Sequence, residues 1–340
     1  MQTRRWRAVK VLLHDDTPAY LSHGGKQVHA EKLHGALKNL GIEVEYARWW
    51  DPDQKVDLIH SLGCSPSMVS IAHQVGVRLV LTHLVAFETN SPRSRRLWQR
   101  TRNATIREFA PPSVRRLFPW HVLPTIDQLV YLSQADAETA IEIYGIQRRR
   151  THVIPNGCST DEIGRLQAGV REAASYLVSV GRISPEKNSV ALARAARRAR
   201  VPVVFLGRAF NEDDPYFKEF KALVDGESVI YPGHVSEYEK TAWLVGASGF
   251  VLASLWESGC IAVYEAAAAG LPMLLSDLPW ARAYGRNPSL HLVKPVEDAL
   301  AEQLKPFFDA SRRMEGSTFP VATWDDIAKR YLSVYQQALL

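Results

Sequence analysis

The sequence predicts an α/β protein built of two doubly wound domains. Three observations predict it. Short apolar runs of strand type alternate with helical patterns through residues 8–154. The alternation then restarts at residue 175, after a join near 155–175. Finally, 340 residues are more than a single hydrophobic core usually organises.

The elements can be taken in order. "AVKVLLH" (8–14) reads as the first strand, and "KQVHAEKLHGALKNLG" (26–41) as a helix with Val28, Leu33, Leu37 and Leu40 near helical spacing and Gly41 as its stop. "IEVEYAR" (42–48), "VDLIHS" (56–61), "VRLVLT" (77–82), "QLVYLS" (128–133) and "THVI" (151–154) are further strands. In the second series, "SYLVSVG" (175–181) is followed by a helix (188–199), "VPVVFLG" (201–207), "ESVIYPG" (227–233), a helix (236–246), "GFVLAS" (249–254), "LPMLLS" (271–276) and "SLHLV" (289–293). Such alternation implies right-handed crossovers and parallel, Rossmann-like sheets covered on both faces. The expected domains are 1–160 and 161–320, facing across a cleft. A last helix, 321–340, carries Ile327, Tyr331, Val334 and Tyr335 and is expected to pack back across that cleft.

Composition is that of an ordinary globular protein, with 46% hydrophobic and 23% charged residues. The formal charge of +5 is too small to imply nucleic acid. Three widely spaced cysteines, Cys64, Cys158 and Cys260, indicate neither a disulfide framework nor a CxxC metal site, and fit a reducing, cytoplasmic compartment. "MQTRRWRAVKVLLHDD" reads as a first strand rather than a signal peptide, and no run approaches the ~20 apolar residues of a spanning helix.

Chemistry concentrates in two places. In "ESGCIAVYEAAAAG" (257–270), Glu257 lies in the loop after a strand and Glu265 sits eight positions on, inside an alanine-rich helix expected from about Gly259 to Ala269. That places Glu265 ~9 Å along the helix axis from Gly259. The amides of Gly259, Cys260 and Ile261 are expected to lack intrahelical partners and to offer an anion site. Phosphate at the helix end with carboxylates for hydroxyls is the outline of a nucleotide sugar. The second place is "VSVGRISPEKN" (178–188), at the first strand end of the second domain. Beyond Gly181, its Arg182 and Lys187 can neutralise a diphosphate. Taken singly, either motif is more often a solvated loop or a chance pair of acids.

Together these motifs resemble the family-four glycosyltransferases, retaining enzymes of the GT-B fold. Three further stretches fit: Gly24–Gly25 in "SHGGKQVHAEKLHGALKNLG", the segment "VIPNGCSTDEI" (153–163), and "LPMLLSD" (271–277). The resemblance implies a hexosyltransferase-type enzyme with a nucleotide-sugar donor and a glycan, lipid-linked or small-molecule acceptor. Arg182 and Lys187 would bind the donor diphosphate, Glu257 the transferred sugar and Glu265 the ribose hydroxyls. Gly25 would let the first domain's backbone approach the donor, and His83 would line the reaction centre. No metal or other cofactor is expected. The Asp-x-Asp of "DPD" (51–53) reads as a surface turn before it reads as a metal motif.

The block 91–120 holds Arg93, Arg95, Arg96, Arg100, Arg102, Arg107, Arg115 and Arg116 against the single acid Glu108, with Trp98, Phe109, Leu117, Phe118 and Trp120 interleaved. It suits peripheral contact of 93–120 with an anionic membrane, such as the inner face of the cytoplasmic membrane. An anionic acceptor would use the same patch, and a solvated face whose aromatics belong to the core is the plainer reading. No motif for specific nucleic-acid binding is present. The rival functions are a nucleotide-sugar epimerase on the same fold and a non-catalytic nucleotide- or glycan-binding protein.

Overall fold

The computed structural model describes residues 9–17, 24–48, 50–63, 65–168, 175–285, 287–313 and 320–340. The chain divides into two compact units, one comprising Met1–Asn156 with Thr323–Leu340, the other Gly157–Ala322. Cys64 and the lead-in to the Gly24–Gly25 pair lie outside the described residues.

The first unit holds six parallel strands: β1 (Lys10–His14), β2 (Glu43–Tyr46), β3 (Leu58–Ser61), β4 (Arg78–Thr82), β5 (Gln128–Tyr131) and β6 (Thr151–Val153). Their order is β2-β1-β3-β4-β5-β6. Neighbouring residues on β4 and β5 point to opposite faces, as strand geometry demands. Leu79, Leu81, Leu129 and Tyr131 pack with Ala137, Ala140 and Ile143 of the helix Gln134–Tyr144. The helices Gly25–Asn39 and Trp324–Leu339 pack against each other, and the C-terminal helix also lies on β4 and β5.

A chain of buried polar groups fixes that C-terminal helix. The His60 ring bridges the Tyr335 hydroxyl and Thr82 Oγ1, each at 2.8 Å. Thr82 Oγ1 is 3.1 Å from the Tyr331 hydroxyl, which lies 3.3 Å from His29 Nε2. His29 Nδ1 is 2.6 Å from Asn156 Oδ1, so the asparagine of "IPNG" ends the chain. Burial depresses His29 to a pKa of about 4, against the opposing Asn156 hydrogen bond, and His60 to about 3. Both rings are therefore neutral at pH 7 and take part as hydrogen-bonding groups rather than charges.

The second unit has the strands β7 (Leu177–Val180), β8 (Val203–Leu206), β9 (Val229–Gly233), β10 (Gly249–Leu252), β11 (Met273–Ser276) and β12 (Leu290–Val293). Their order is β12-β11-β10-β7-β8-β9, all parallel. Val178, Val204, Phe250, Leu252, Met273 and Leu275 face one core, while Leu177, Val203, Phe205, Val251 and Leu274 face the other. A sheet buried on both faces explains the uninterrupted apolar strands of the sequence. The winding reverses between β7 and β10, which are hydrogen-bonded neighbours. Ligands of open α/β sheets bind outside the carboxyl ends of strands at such a reversal. Both chemistry-bearing motifs follow these two strands.

Candidate active site

The segment after β7 is shaped by its own residues. Ser184 enters extended, Pro185–Lys187 form one 3-10 turn, and Asn188 takes a left-handed conformation (φ 56°) that turns the chain into the helix Ser189–Ala199. Asparagine tolerates that conformation better than most residues, and Asn188 is anchored by donating to Pro295 O at 3.0 Å. At the end of β8, Gly207 comes so close to Gly181 that a Cβ built on Gly207 would lie 2.1 Å from the Gly181 carbonyl oxygen. No side chain fits there, and nothing in the local sequence marked Gly207. Arg182 is half-buried, its guanidinium carbon 5.5 Å from the centre of the Phe210 ring.

After β10, residues 253–260 lead into the helix Ile261–Ala268, which starts two residues later than expected. Gly259 is left-handed (φ 62°) just before the N-cap Cys260. At the other end Gly270 (φ 65°) closes the helix, with Gly270 N–H donating to Ala267 O and Leu271 N–H to Ala266 O, both at 2.9 Å. The alanines explain themselves: Ala262 and Ala266 to Ala268 are buried in the second unit's core, where only a small side chain lets the helix lie close to its neighbours. Burial pushes the Cys260 thiol up to about 12, so it is a neutral neighbour of the site.

The two segments meet. Leu255 N–H donates to Glu186 O at 2.8 Å, and the Lys187 ammonium forms a close ion pair with the buried Glu257 carboxylate. Burial works to lower the Lys187 pKa, but Glu257 outweighs it and the ammonium is raised. Trp280 Nε1 donates to Ser254 O at 3.1 Å and ties in the segment after β11. Among the described residues, the buried hydroxyls of Ser184, Ser254 and Ser258 have no hydrogen-bond partner. Such groups cost about 1–3 kcal/mol each if left unpaired, which suits a site completed by a polar ligand.

Glu265 is held apart from this pair. Its carboxylate lies 2.7 Å from Lys240 Nζ, on the helix Glu237–Val245. Lys240 also lies 2.8 Å from Glu237 and 3.8 Å from Glu162, the latter on the helix Thr160–Ala168. The three carboxylates offer oxygens within 4.8 Å of one another, and the Lys240 ammonium stands among them as their cation. Burial raises Glu265 to about 7; Lys240 opposes the rise and Glu162 adds to it. The sequence reading missed Lys240 and Glu162. Glu162 lay within the quoted "VIPNGCSTDEI", but neither residue has a spacing that announces its partner.

In the first unit, Gly24 is extended (φ −159°) at the N-cap of its helix, its N–H donating to Gln27 Oε1 at 3.1 Å. A Cβ built on Gly25 would meet nothing within 4 Å, so open space lies beside it. His83, just past β4, is half-buried with Nδ1 3.2 Å from the Tyr131 hydroxyl and its ring against Tyr131 and Tyr144. Burial holds it near pKa 4, hence neutral. The "DPD" stretch is a surface turn. Asp51 accepts from Arg48 Nη2 at 2.8 Å and from the Asp53 N–H at 3.1 Å.

Two doubly wound parallel sheets, the second with a cation–carboxylate pair at its winding reversal, form the two-domain α/β architecture of the chain. The "Glycosyltransferase Family 4" model matches residues 45–162 and the "Glycosyl transferases group 1" model residues 163–315. The chain belongs to the family-four-like glycosyltransferases of the GT-B fold. It is 24% identical over 257 residues to the MMP alpha-(1->4)-mannosyltransferase of Mycolicibacterium hassiacum, covering 69% of this chain and 61% of the relative. It is 23% identical over 240 residues to the mannosylfructose-phosphate synthase of Agrobacterium fabrum, covering 62% and 53%. The chain thus spans less than two thirds of these relatives' lengths. Its fold matches the crystal structure of a glycosyltransferase from Rickettsia africae ESF-5 with a TM-score of 0.69 at 12% identity, over 98% of this chain and 99% of that one.

Proposed function

We propose that the protein is a retaining, metal-independent glycosyltransferase that moves a hexosyl group from a nucleotide-sugar donor to a glycan, lipid-linked or small-molecule acceptor. The observation that carries this reading is the meeting of Lys187 and Glu257 at the reversal between β7 and β10, with Arg182 in the same segment. When the bond from the anomeric carbon to the diphosphate breaks, negative charge grows on the leaving group and the sugar becomes oxocarbenium-like. Arg182 and Lys187 stabilise that charge as preorganised cations. An ammonium has three donors, so Lys187 can keep Glu257 and take a phosphate oxygen. Glu257 is then fixed to accept from a sugar hydroxyl, and Glu265 from the ribose. The acceptor oxygen attacks from the face the diphosphate leaves, and its proton passes to a phosphate oxygen. Retention follows without a carboxylate nucleophile.

The first unit is assigned to the acceptor, with His83 at the carboxyl end of β4, while Gly24 and Gly25 keep their assignment to the donor. Its helix Arg93–Phe109 supports peripheral contact with an anionic membrane on the cytoplasmic side, because its exposed residues combine arginines with Leu97, Trp98 and Phe109. No described helix is long and apolar enough to cross a membrane.

The test is a donor screen read by coupled nucleotide release. Both relatives are named for mannosyl compounds, so mannosyl donors enter beside glucosyl and N-acetylglucosaminyl ones. Acceptor-dependent release from one donor, with the anomeric configuration kept in the product, is expected. Inversion of that configuration, or interconversion of the donor without transfer, would overturn the reading.

A further inference from the structure

Lys240 belongs to none of the motifs that single out the donor site, yet it touches the carboxylate at its heart. Glu265 and Glu162 are each 4% exposed and come from different helices, while Glu237 is exposed. Three carboxylates therefore surround one ammonium that is itself largely buried. The titratable groups facing Glu265 are Lys240 and Glu237 from one packed helix and Glu162 from another.

An ammonium hydrogen-bonded to one carboxylate oxygen does two things. It favours the charged form against burial, and it fixes the plane of the group. A carboxylate has two oxygens and about four lone-pair sites, so the contact of Oε1 with Lys240 leaves acceptor capacity for a pair of neighbouring hydroxyls. Glu162 and Glu237 hold the ammonium from its other sides, so it cannot swing away without leaving a charge buried.

We propose that Lys240 is a positioning residue of the donor site, holding the Glu265 carboxylate as a fixed, charged acceptor for a vicinal diol, and that the balance of Lys240 against Glu162 sets the pH range in which a nucleotide binds. This rests on the assignment of Glu265 to the donor ribose. A purely structural ion cluster tethering three helices would predict a loss of stability but no change in the pH profile of binding.

The experiment is calorimetric titration with UDP, GDP and ADP from about pH 5.5 to about 9, carrying forward the tightest binder. Wild-type affinity should rise with pH through neutrality. Lys240→Met should weaken binding about tenfold at pH 7 and recover towards wild type at the alkaline end, an upward shift of about one unit or more. Lys240→Arg should stay close to wild type. Glu162→Gln, which keeps the ammonium and removes a facing carboxylate, should shift the profile downward; it carries the test if Lys240→Met does not fold. Lys240→Met/Glu265→Gln should bind no more weakly than Glu265→Gln, and both should be flat with pH. An unshifted profile in Lys240→Met and Glu162→Gln overturns the inference while leaving the ribose assignment standing. Wild-type binding by Glu265→Gln, or binding of none of the three nucleotides, overturns the assignment and the inference together.

Discussion

Lys187 and Glu257, 70 positions apart in sequence, face each other as an ion pair at the winding reversal of the second sheet. The pair joins what the sequence showed as two separate motifs. It also makes each residue the other's support, so loss of activity must be separated from loss of fold.

Lys187→Ala or Arg182→Ala should lower turnover ~10²-fold or more, the scale for losing one preorganised charge-stabilising group. Lys187→Ala also strands a buried carboxylate, and removing one partner of such a pair can cost about 3–5 kcal/mol. Lys187→Met/Glu257→Gln removes both charges and should melt closer to wild type while remaining inactive. Near-normal turnover in Arg182→Ala and Lys187→Ala would sink the diphosphate assignment. Recovery of turnover in the double variant would show that the lysine merely holds the fold.

Activity should survive excess chelator. The Asp-x-Asp stretch of Asp51 and Asp53 is a turn whose Asp51 is engaged by Arg48. Glu162, Glu237 and Glu265 already enclose the Lys240 ammonium. Abolition by EDTA with rescue by Mg²⁺ or Mn²⁺ would contradict the metal-independent reading.

The strands and their parallel, two-domain arrangement were legible because buried parallel strands leave unbroken apolar runs, and "GRISPEKN" and the glutamate spacing were legible because strand ends and helix starts are local. Contacts from distant elements were not. Lys240 sits mid-helix between Glu239 and Thr241 like any surface lysine, and only the fold brings Glu265 to it. Gly207 carries no signal of its own, because its constraint is the Gly181 carbonyl of another strand end. In the block 91–120, charge and aromatic content were plain, but which residues face outward needed the helix Gln134–Tyr144, on which Asn103 packs.

The buried histidines of the first unit make stability sensitive to acid. Burial depresses His29 to about 4 and His60 to about 3, against ~6.5 unfolded. With folded values below unfolded ones, their contribution is present above about pH 6.5 and is lost as pH falls towards the folded values. Glu265, raised to about 7, works in the opposite sense, favouring the fold at pH below its unfolded value and losing that contribution as pH rises through neutrality. Urea midpoints measured between pH 4 and 8 should therefore fall on acidification below about 6.5. His60→Asn should lose about 1–3 kcal/mol at neutral pH through its broken bonds to Tyr335 and Thr82. It should also show a shallower acid slope, by up to one proton. An unchanged slope would remove His60 from the account.

The helix Arg93–Phe109 and the turn after it should bind anionic lipid. Its only buried residue is Asn103, which donates to Ile143 O at 3.2 Å and docks the helix on the unit. Leu97, Trp98, Phe109 and Leu117 are 55%, 61%, 80% and 75% exposed, so these apolar groups are not core, whereas Trp120 does pack on the core. Trp98 and Phe109 are eleven residues apart and share a helix face. Several arginines are already engaged: Arg107 donates to Tyr144 O at 2.7 Å, Arg115 to Ala110 O at 2.7 Å, and Arg102 to Asn103 Oδ1 at 2.9 Å. The exposed Arg93, Arg95, Arg100 and Arg116 are the better candidates for phosphate headgroups, at ~1 kcal/mol each near the surface. Co-sedimentation with phosphatidylserine-containing vesicles should exceed that with neutral vesicles and weaken in high salt. Replacing those four arginines with glutamine should abolish the preference. Trp98→Ser/Phe109→Ser should weaken binding in a way salt does not mimic, because it removes buried apolar area rather than charge. Equal, negligible binding to both vesicle types would rule out the membrane contact. Retention of anionic binding after all six substitutions would move it elsewhere on the protein.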